Sequence, residues 1–414
     1  MPVNRSEGFV SDLCDRSFLV PWAYLNPALS GGRELIDAAV VFGDSIILFS
    51  VKEYLPRDSD AGVARNRWIR KAIDASLKQL RGARRRLQTT DVLTEPSSER
   101  TVDLPPPSRR KVHSVSISLG GLQCGRFGSQ QTDDGFVHVL DEAAFIPHFT
   151  ELNTVSEFLG YLEYREQVQS TSGQIITEED WLGSYLLNRL SGDSVASQPM
   201  PGSFDRYLND PRVVEPRKID LPSYFWDHTI QYLWSERGRL MAPDTDIGSM
   251  RLPPSAEMMD AILRQLAIHP RAERRHLGSS LLHYFSHATD ASARVFRAQS
   301  GPGYVVQRLG HDDDVKSAQA ELLARCMYVQ ECLMPDRNVV GIAAGPDFPD
   351  LSPDVLVLFC YLEGAVGTEA MRKKVRELAK DLGLFQDLRF YDVKPEKLGL
   401  PLSSGRSFGR MSRS

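Results

Sequence analysis

Residues 34–52 predict a tight β-hairpin, and this hairpin constrains the fold more than any other segment of the chain. Two apolar runs rich in β-branched residues flank Gly43 and Asp44. A glycine at the first loop position suits a two-residue type II′ turn. That turn fixes the register of the hairpin, because it pairs Phe42 with Ser45.

Three polar side chains converge at the open end of this hairpin. Counting back from the turn places Asp37 opposite Ser50. Side chains alternate across a strand, so Asp37, Ser50 and Lys52 lie on one face. Burying such groups without partners is costly, so their convergence predicts a functional site. The alternative is a surface hairpin on which Asp37 and Lys52 are merely solvated.

This arrangement resembles the core of the PD-(D/E)XK nuclease superfamily, the fold of many restriction endonucleases and resolvases. In that family an Asp ends one strand, and an acidic residue, any residue and a Lys end the next. Asp37 matches the first Asp and Lys52 matches the Lys. Ser50 departs from the pattern, since the family has Glu, Asp or sometimes Gln at this position. Glu34 lies where the family often places a further acid.

The resemblance implies Mg²⁺- or Mn²⁺-dependent hydrolysis of DNA phosphodiester bonds. Asp37 is then the chief metal ligand, Glu34 an auxiliary metal-binding acid, and Lys52 the cation that orients water or phosphate. Ser50 could hold a metal-bound water but supplies no charge. Either Glu34 or Glu53 replaces the missing acid, or metal binding is weakened or lost. Genome defence against viruses, or DNA processing, follows only by analogy of fold.

Residues 65–88 predict a basic amphipathic helix, with apolar side chains recurring at helical spacing. In the resembled fold this helix packs on the sheet and often brings a Gln or Lys near the active site, and Gln79 is the candidate. Basic side chains release counterions when they contact phosphate. The candidates for nucleic-acid binding are Arg67, Arg70, Lys71, Lys78, Arg81, Arg84 and Arg85. The alternative is an ordinary solvated helix face.

The remaining pattern predicts an α/β protein with a restriction-endonuclease-like mixed sheet flanked by helices, then a helical segment and a second small α/β segment. The predicted divisions are a nuclease-like domain at 1–168, a mostly helical region at 169–300, an α/β region at 301–400 and a disordered tail at 401–414. Predicted strands lie at 111–120, 136–140, 304–309, 338–343, 354–361 and 388–393. Predicted helices lie at 151–168, 178–190, 257–268, 276–285, 315–334 and 368–383, with loops at 91–110 and 191–222.

Charge and composition narrow the class of protein. The formal net charge is −5, so binding to nucleic acid has to come from a local basic patch. The sequence has no run of about 18 apolar residues, so no membrane span is predicted. The first residues lack the apolar core of a signal peptide. Five scattered cysteines predict reduced thiols in a cytoplasmic protein.

Other candidate sites and partners carry weaker signals. His311 with the following three aspartates could bind a cation, although acids at a helix start also favour the helix dipole. His276, His283 and His287 share helical spacing, but no carboxylate or cysteine completes a metal set there. The C-terminal half is predicted to serve specificity, a protein partner or homo-oligomer assembly. The alternative functions are a catalytically degenerate nuclease fold that binds nucleic acid or protein, and a structural subunit of an assembly.

Overall fold

The structure is a computed structural model. It describes residues 5–29, 32–57, 60–168, 176–191, 198–217, 221–237, 255–287, 293–299, 301–310, 314–345, 347–348, 357–364, 368–384 and 390–392. Across these ranges no helix combines the length and apolar character needed to cross a membrane. The predicted tail at 401–414 and residues 311–313 of the candidate cation loop lie outside the described residues.

Strands and helices alternate along much of the chain. The strands are β1 (Ala23–Leu25), β2 (Ala38–Phe42), β3 (Ser45–Glu53), β4 (Val92–Glu95), β5 (Arg100–Asp103), β6 (Lys111–Leu119), β7 (Gln130–Thr132), β8 (Gly135–Asp141), β9 (Ala293–Arg297), β10 (Gly303–Arg308), β11 (Val339–Ala344), β12 (Val357–Leu362) and β13 (Phe390–Asp392).

The helices are α1 (Arg5–Phe18), α2 (Ala61–Trp68), α3 (Ala75–Leu87), α4 (Glu142–Glu151), α5 (Val155–Gln167), α6 (Glu178–Ser191), α7 (Ser203–Leu208), α8 (Pro211–Arg217), α9 (Leu221–Ser235), α10 (Ala256–Ala267), α11 (Arg271–His287), α12 (Val315–Tyr328) and α13 (Glu369–Asp381). Two π-helical stretches, Ile69–Asp74 and Val329–Leu333, continue α2 and α12.

The first sheet is mixed and has the strand order β1-β2-β3-β6-β8-β7. Its centre is parallel, because β3 pairs parallel with β6 and β6 pairs parallel with β8. The hairpin of β2 and β3 is antiparallel. The carboxyl ends of three central strands therefore meet at one edge, where open α/β sheets commonly bind ligands.

Helices cover both faces of the first sheet, and the sequence of β3 explains why. Ile46 and Leu48 join a hydrophobic core with α2 and α3. Ile47 and Phe49 join the core on the opposite face with α1, α4 and α5, where Phe18 stacks on Phe49 with ring centroids 5.7 Å apart. A strand buried on both faces reads as a continuous apolar run, as this one does.

The second sheet has the order β12-β11-β10-β9-β13, with β10 and β11 parallel. One of its faces carries a separate small core with α12, which includes Leu322 and Cys326. Residues of its other face, such as Tyr304 and Phe359, belong to the same core as Phe18. One hydrophobic core thus extends from the first sheet, through the helices between, to the second sheet.

A buried cluster of charges lies between the helices of the middle region. Asp227 of α9 accepts a hydrogen bond from Arg274 Nη1 at 2.6 Å and another from Arg271 Nη1. The side chains of Asp227, Arg271 and Arg274 are 7 %, 10 % and 1 % exposed. Arg271 also donates to the side-chain and backbone oxygens of Asn153 at 2.9 Å. This contact links α11 to the loop between α4 and α5.

The predicted mixed α/β class is confirmed in its coarse form, and the element predictions need four corrections. The predicted loop at 91–110 contains the β4–β5 hairpin. The basic helix starts at Ala61 rather than at residue 65, because the Asp60 side chain caps it. The predicted loop at 191–222 contains α7 and α8. The predicted mostly helical region at 169–300 ends in β9, which pairs with β10.

Other local predictions are confirmed. The helix predicted at 151–168 is α5, and the Thr154 side chain caps it by accepting from the backbone N–H of Glu157. All five cysteines are free thiols, and four of them are buried. Burial and hydrogen bonding with Cys360 raise the pKa of the Cys326 thiol, so this group is protonated at neutral pH.

Candidate active site

The hairpin has the register that its turn predicts. Phe42 lies opposite Ser45, and Gly43 has a φ of +60° at the first loop position. Ala38, the first residue of β2, lies opposite Phe49. Continuing this register by one residue places Asp37 opposite Ser50, so the local pattern of the sequence was sufficient to build this end of the site.

Asp37 is the centre of a hydrogen-bond network. Its Oδ2 accepts from the backbone N–H of Val51 at 2.6 Å and from Lys52 Nζ at 3.1 Å. Its Oδ1 accepts from Gln79 Nε2 at 2.8 Å, and Ser50 Oγ donates to Gln79 Oε1 at 2.8 Å. The structure therefore joins four of the five predicted catalytic residues directly.

The side chains of this network differ in how much of their surface is exposed to solvent. Ser50 is fully buried, whereas the side chains of Asp37 and Lys52 are 10 % and 30 % exposed. An ionised carboxylate offers about four lone-pair positions, and three hydrogen bonds to Asp37 use three of them. The side chain of Lys52 is thus more exposed than that of Asp37, which holds the ammonium in place.

Gln79 reaches the site because α3 packs on the face of β3 that carries Ser50. The apolar stripe of this helical segment is buried in the core and includes Trp68, Ile73 and Leu80. The π-helical stretch Ile69–Asp74 inserts a wider turn before α3, and such turns are frequent near functional sites. Residues three apart share a helix face, and Ser76, three residues before Gln79, donates to the backbone oxygen of Ser50 at 3.4 Å.

Two buried serines of β6 extend the polar face and were not predicted as site residues. Ser116 lies opposite Ser50, and Ser118 lies opposite Lys52. Both are fully buried, and their hydroxyl oxygens are 3.0 Å apart. The alternation of serine with Val115 and Ile117 could have revealed this polar face. Its position beside the hairpin depends on the pairing of β3 with β6, which the sequence does not specify.

Glu34 lies three residues before Asp37, in an isolated bridge with Ala28. It is exposed, and its backbone oxygen accepts from Arg86 Nη1 at 3.3 Å. Its assignment as an auxiliary metal-binding acid stays a prediction.

The predicted basic surface is exposed, but part of its charge is neutralised. Arg81 and Arg85 form ion pairs with Asp134, at 2.6 and 3.1 Å. Arg84 is half-buried and packs against Gly135. The exposed residues of the patch are Arg67, Arg70, Lys71, Lys78, Arg81 and Arg85.

Asp134 neutralises only part of the patch. Arg70, Lys71 and Lys78 form no ion pair with another residue that the structure describes. These three side chains are therefore the best candidates for contacts with a polyanion.

Comparison with protein-family models, curated proteins and solved structures gives no match to the chain. The resemblance to PD-(D/E)XK nucleases therefore stays a prediction from the sequence of the hairpin and the basic helix.

Proposed function

We propose that the first sheet and its helices form a metal-dependent nuclease domain that hydrolyses phosphodiester bonds in DNA. The main support is the network that joins Asp37, Ser50, Lys52 and Gln79 at the carboxyl ends of parallel strands. The exposed basic helix segment that supplies Gln79 gives the same region an affinity for a phosphate backbone.

The donor atoms fit a magnesium or manganese ion that shares its coordination with substrate. Mg²⁺ is commonly bound through one or two carboxylates, several waters and substrate phosphates. Asp37 supplies one carboxylate, whose Oδ1 accepts a hydrogen bond only from Gln79 among the described residues. Glu34 is the candidate for a second acid. When bound, such an ion lowers the pKa of water and neutralises charge on the phosphate.

The protein's own residues have distinct proposed roles. Lys52 Nζ has three donor positions, and its bond to Asp37 leaves the others for a phosphate oxygen or an attacking water. Asp37 fixes the position of the ammonium, and Gln79 fixes that of the carboxylate. Ser50 fixes Gln79 by donating to its amide oxygen. The network thus holds a cation and an anion in one orientation before substrate arrives, which is the arrangement that electrostatic catalysis requires.

A second candidate function is a nuclease fold that binds nucleic acid without cleaving it. The observation that favours it is the chemistry of position 50, where a buried hydroxyl replaces a carboxylate. In addition, Lys52 already neutralises Asp37 at 3.1 Å. Cleavage of plasmid DNA in the presence of Mn²⁺, compared with DNA binding without cleavage, separates the two functions.

Ser50→Glu tests whether the site keeps the geometry of a metal site. In a nuclease, the restored acid should strengthen Mn²⁺ binding at least about tenfold, equivalent to about 1.4 kcal/mol. In a site that has lost its metal, two adjacent carboxylates should raise one pKa and destabilise the hairpin instead. Isothermal titration calorimetry with Mn²⁺ measures the difference.

The matched control is Ser114→Glu, which buries the same group further from the carboxyl end of β6. Ser114 is 2 % exposed and lies opposite Leu48. Equal Mn²⁺ affinities for wild type, Ser50→Glu and Ser114→Glu would count against a latent metal site.

Reversing charge at Lys71 and Lys78 tests the nucleic-acid surface. The double variant Lys71→Glu/Lys78→Glu should weaken DNA binding and reduce the slope of log affinity against log salt by about two units, one for each lost phosphate contact. Both residues are exposed, so stability should change little. Fluorescence anisotropy over a range of salt concentrations gives the slope. Arg81 is less suitable for reversal, because a new acid there would face Asp134.

The control for this experiment is Lys374→Glu/Lys380→Glu on the exposed face of α13. It changes the net charge by the same amount. An unchanged slope in the first variant, or an equal loss in the control, would show that the basic helix is only a solvated face.

A further inference from the structure

A second polar cluster lies on the other face of the first sheet. Val115 of β6 lies opposite His138 of β8, so His113, two residues earlier on β6, shares a face with His138. Glu166, near the end of α5, completes the cluster from above this face. His113 is the third residue of β6 and His138 the fourth residue of β8, so the cluster lies away from the carboxyl ends of these strands. His113 is five residues before Ser118, about 16 Å along an extended strand.

Three potential metal-ligand atoms converge in this cluster. His113 Nδ1 lies 2.8 Å from Glu166 Oε1, and His138 Nε2 lies 3.1 Å from the same oxygen. The ligand atoms of the three residues all lie within 4.8 Å of one another. Among the residues that the structure describes, no other group of three such side chains has this arrangement.

The chemistry of the three side chains suits a cation. Metal ions bind the neutral imidazole of histidine and the ionised carboxylate of glutamate, and His113, His138 and Glu166 supply two imidazoles and one carboxylate.

The ring nitrogens that face away from Glu166 do not fix which tautomer either histidine adopts. His113 Nε2 and His138 Nδ1 are buried and have no hydrogen-bond partner among the described residues. No protein group therefore fixes the proton of either ring on the far side. Each imidazole can carry its proton on the far nitrogen and direct a lone pair toward Glu166.

We propose that His113, His138 and Glu166 bind a divalent transition-metal cation, with zinc as the preferred ion. Imidazole nitrogen with one carboxylate suits zinc, whereas magnesium prefers oxygen ligands alone. Zinc bonds of about 2.0–2.2 Å in tetrahedral geometry separate ligand atoms by about 3.3 Å. The pairs at 2.8 and 3.1 Å need to open only slightly to reach that spacing.

The position of the cluster determines how an ion can reach it and which elements a bound ion would join. The histidine side chains are 3 % and 1 % exposed, but Glu166 is 29 % exposed, so the ion and a water ligand can enter from its side. The bound ion would link two central strands to α5. Zinc should therefore stabilise the fold, and this site is separate from the oxygen-rich site around Asp37.

The experiment is zinc titration of the full chain after removal of metals with a chelator. Isothermal titration calorimetry should give one tight site in the wild type, and Co²⁺ in place of zinc should give the strong visible absorption of a tetrahedral site. Glu166→Gln should weaken zinc binding at least about tenfold. Glu166 is 29 % exposed, so the variant should fold as the wild type does, and circular dichroism checks this.

Three control variants sharpen the result. Glu163→Gln makes the same change of charge one helical turn earlier, where Glu163 pairs with Lys111, and should bind zinc as the wild type does. His287→Gln removes the exposed His283–His287 pair, whose rings are 4.4 Å apart and could chelate zinc alone. Asp37→Asn should leave zinc binding unchanged, which separates this site from the proposed nuclease site.

Two results would overturn the proposal. One is a wild type without a tight zinc site or without the tetrahedral Co²⁺ spectrum. The other is equal zinc affinity in Glu166→Gln and Glu163→Gln. Either result would leave the cluster as a hydrogen-bonded group of core residues.

Discussion

Asp37→Asn is expected to reduce metal-dependent DNA cleavage by about 10³-fold, the scale of losing one preorganised electrostatic group. The substitution keeps the shape of the side chain but removes its charge. Lys52 then loses its ion pair at 3.1 Å, and a metal loses the only carboxylate in the network. Lys52→Ala should also slow cleavage, but it should leave metal binding largely intact. Plasmid nicking with Mn²⁺ measures the rates, and calorimetry measures metal binding.

Asp44→Asn is the matched control for this prediction. Asp44 lies in the turn at the opposite end of the same hairpin, where it pairs with Arg109 at 3.0 Å. The Asp44→Asn variant should cleave DNA at the wild-type rate. Wild-type rates in Asp37→Asn would contradict the nuclease proposal. The wild type could instead bind DNA without cleaving it, and Ser50→Glu could fail to gain Mn²⁺ affinity. These two results together would favour a nuclease fold that binds nucleic acid without cleaving it.

Asp227→Ala should destabilise the protein by about 3–5 kcal/mol, because it leaves two buried guanidinium groups without their shared carboxylate. Arg274 keeps its hydrogen bonds to the backbone oxygens of His269 and Ala267, at 2.9 and 2.6 Å. These neutral acceptors do not balance its charge. Urea unfolding followed by tryptophan fluorescence measures the loss.

The control is Asp260→Ala, which removes an acid that is 52 % exposed and paired with Arg264 on the surface of α10. Exposed pairs contribute about 0–1 kcal/mol. Similar losses for Asp227→Ala and Asp260→Ala would mean that water reaches the Asp227 cluster and screens its charges.

The parts of the site that were predicted from sequence depend on local rules. A glycine turn and period-2 alternation sufficed to bring Asp37, Ser50 and Lys52 together. Gln79 was identified by resemblance, and its position depends on which face of the helix the apolar stripe buries. These signals act over a few residues, so they survive in a single sequence.

The missed parts depend on pairing between distant segments. Ser116 and Ser118 join the site because β6 lies beside β3, after a connection that contains α2, α3 and a hairpin. His113, His138 and Glu166 meet because of a second parallel pairing and the packing of α5. The register of such pairings is not encoded by local periodicity. The β4–β5 hairpin was missed because prolines and serines nearby are also typical of loops.

The core that continues from Phe18 to Phe359 makes the site dependent on regions far from it in sequence. The helices that bury one face of the first sheet also bury a face of the second sheet. Arg271 adds a polar tie between these helices and the α4–α5 loop. Thermal unfolding of the C-terminal strands should therefore also unfold the hairpin that holds Asp37 and Lys52. We therefore expect one cooperative unfolding transition for the full chain, and a lower stability for residues 1–168 alone than for the full chain.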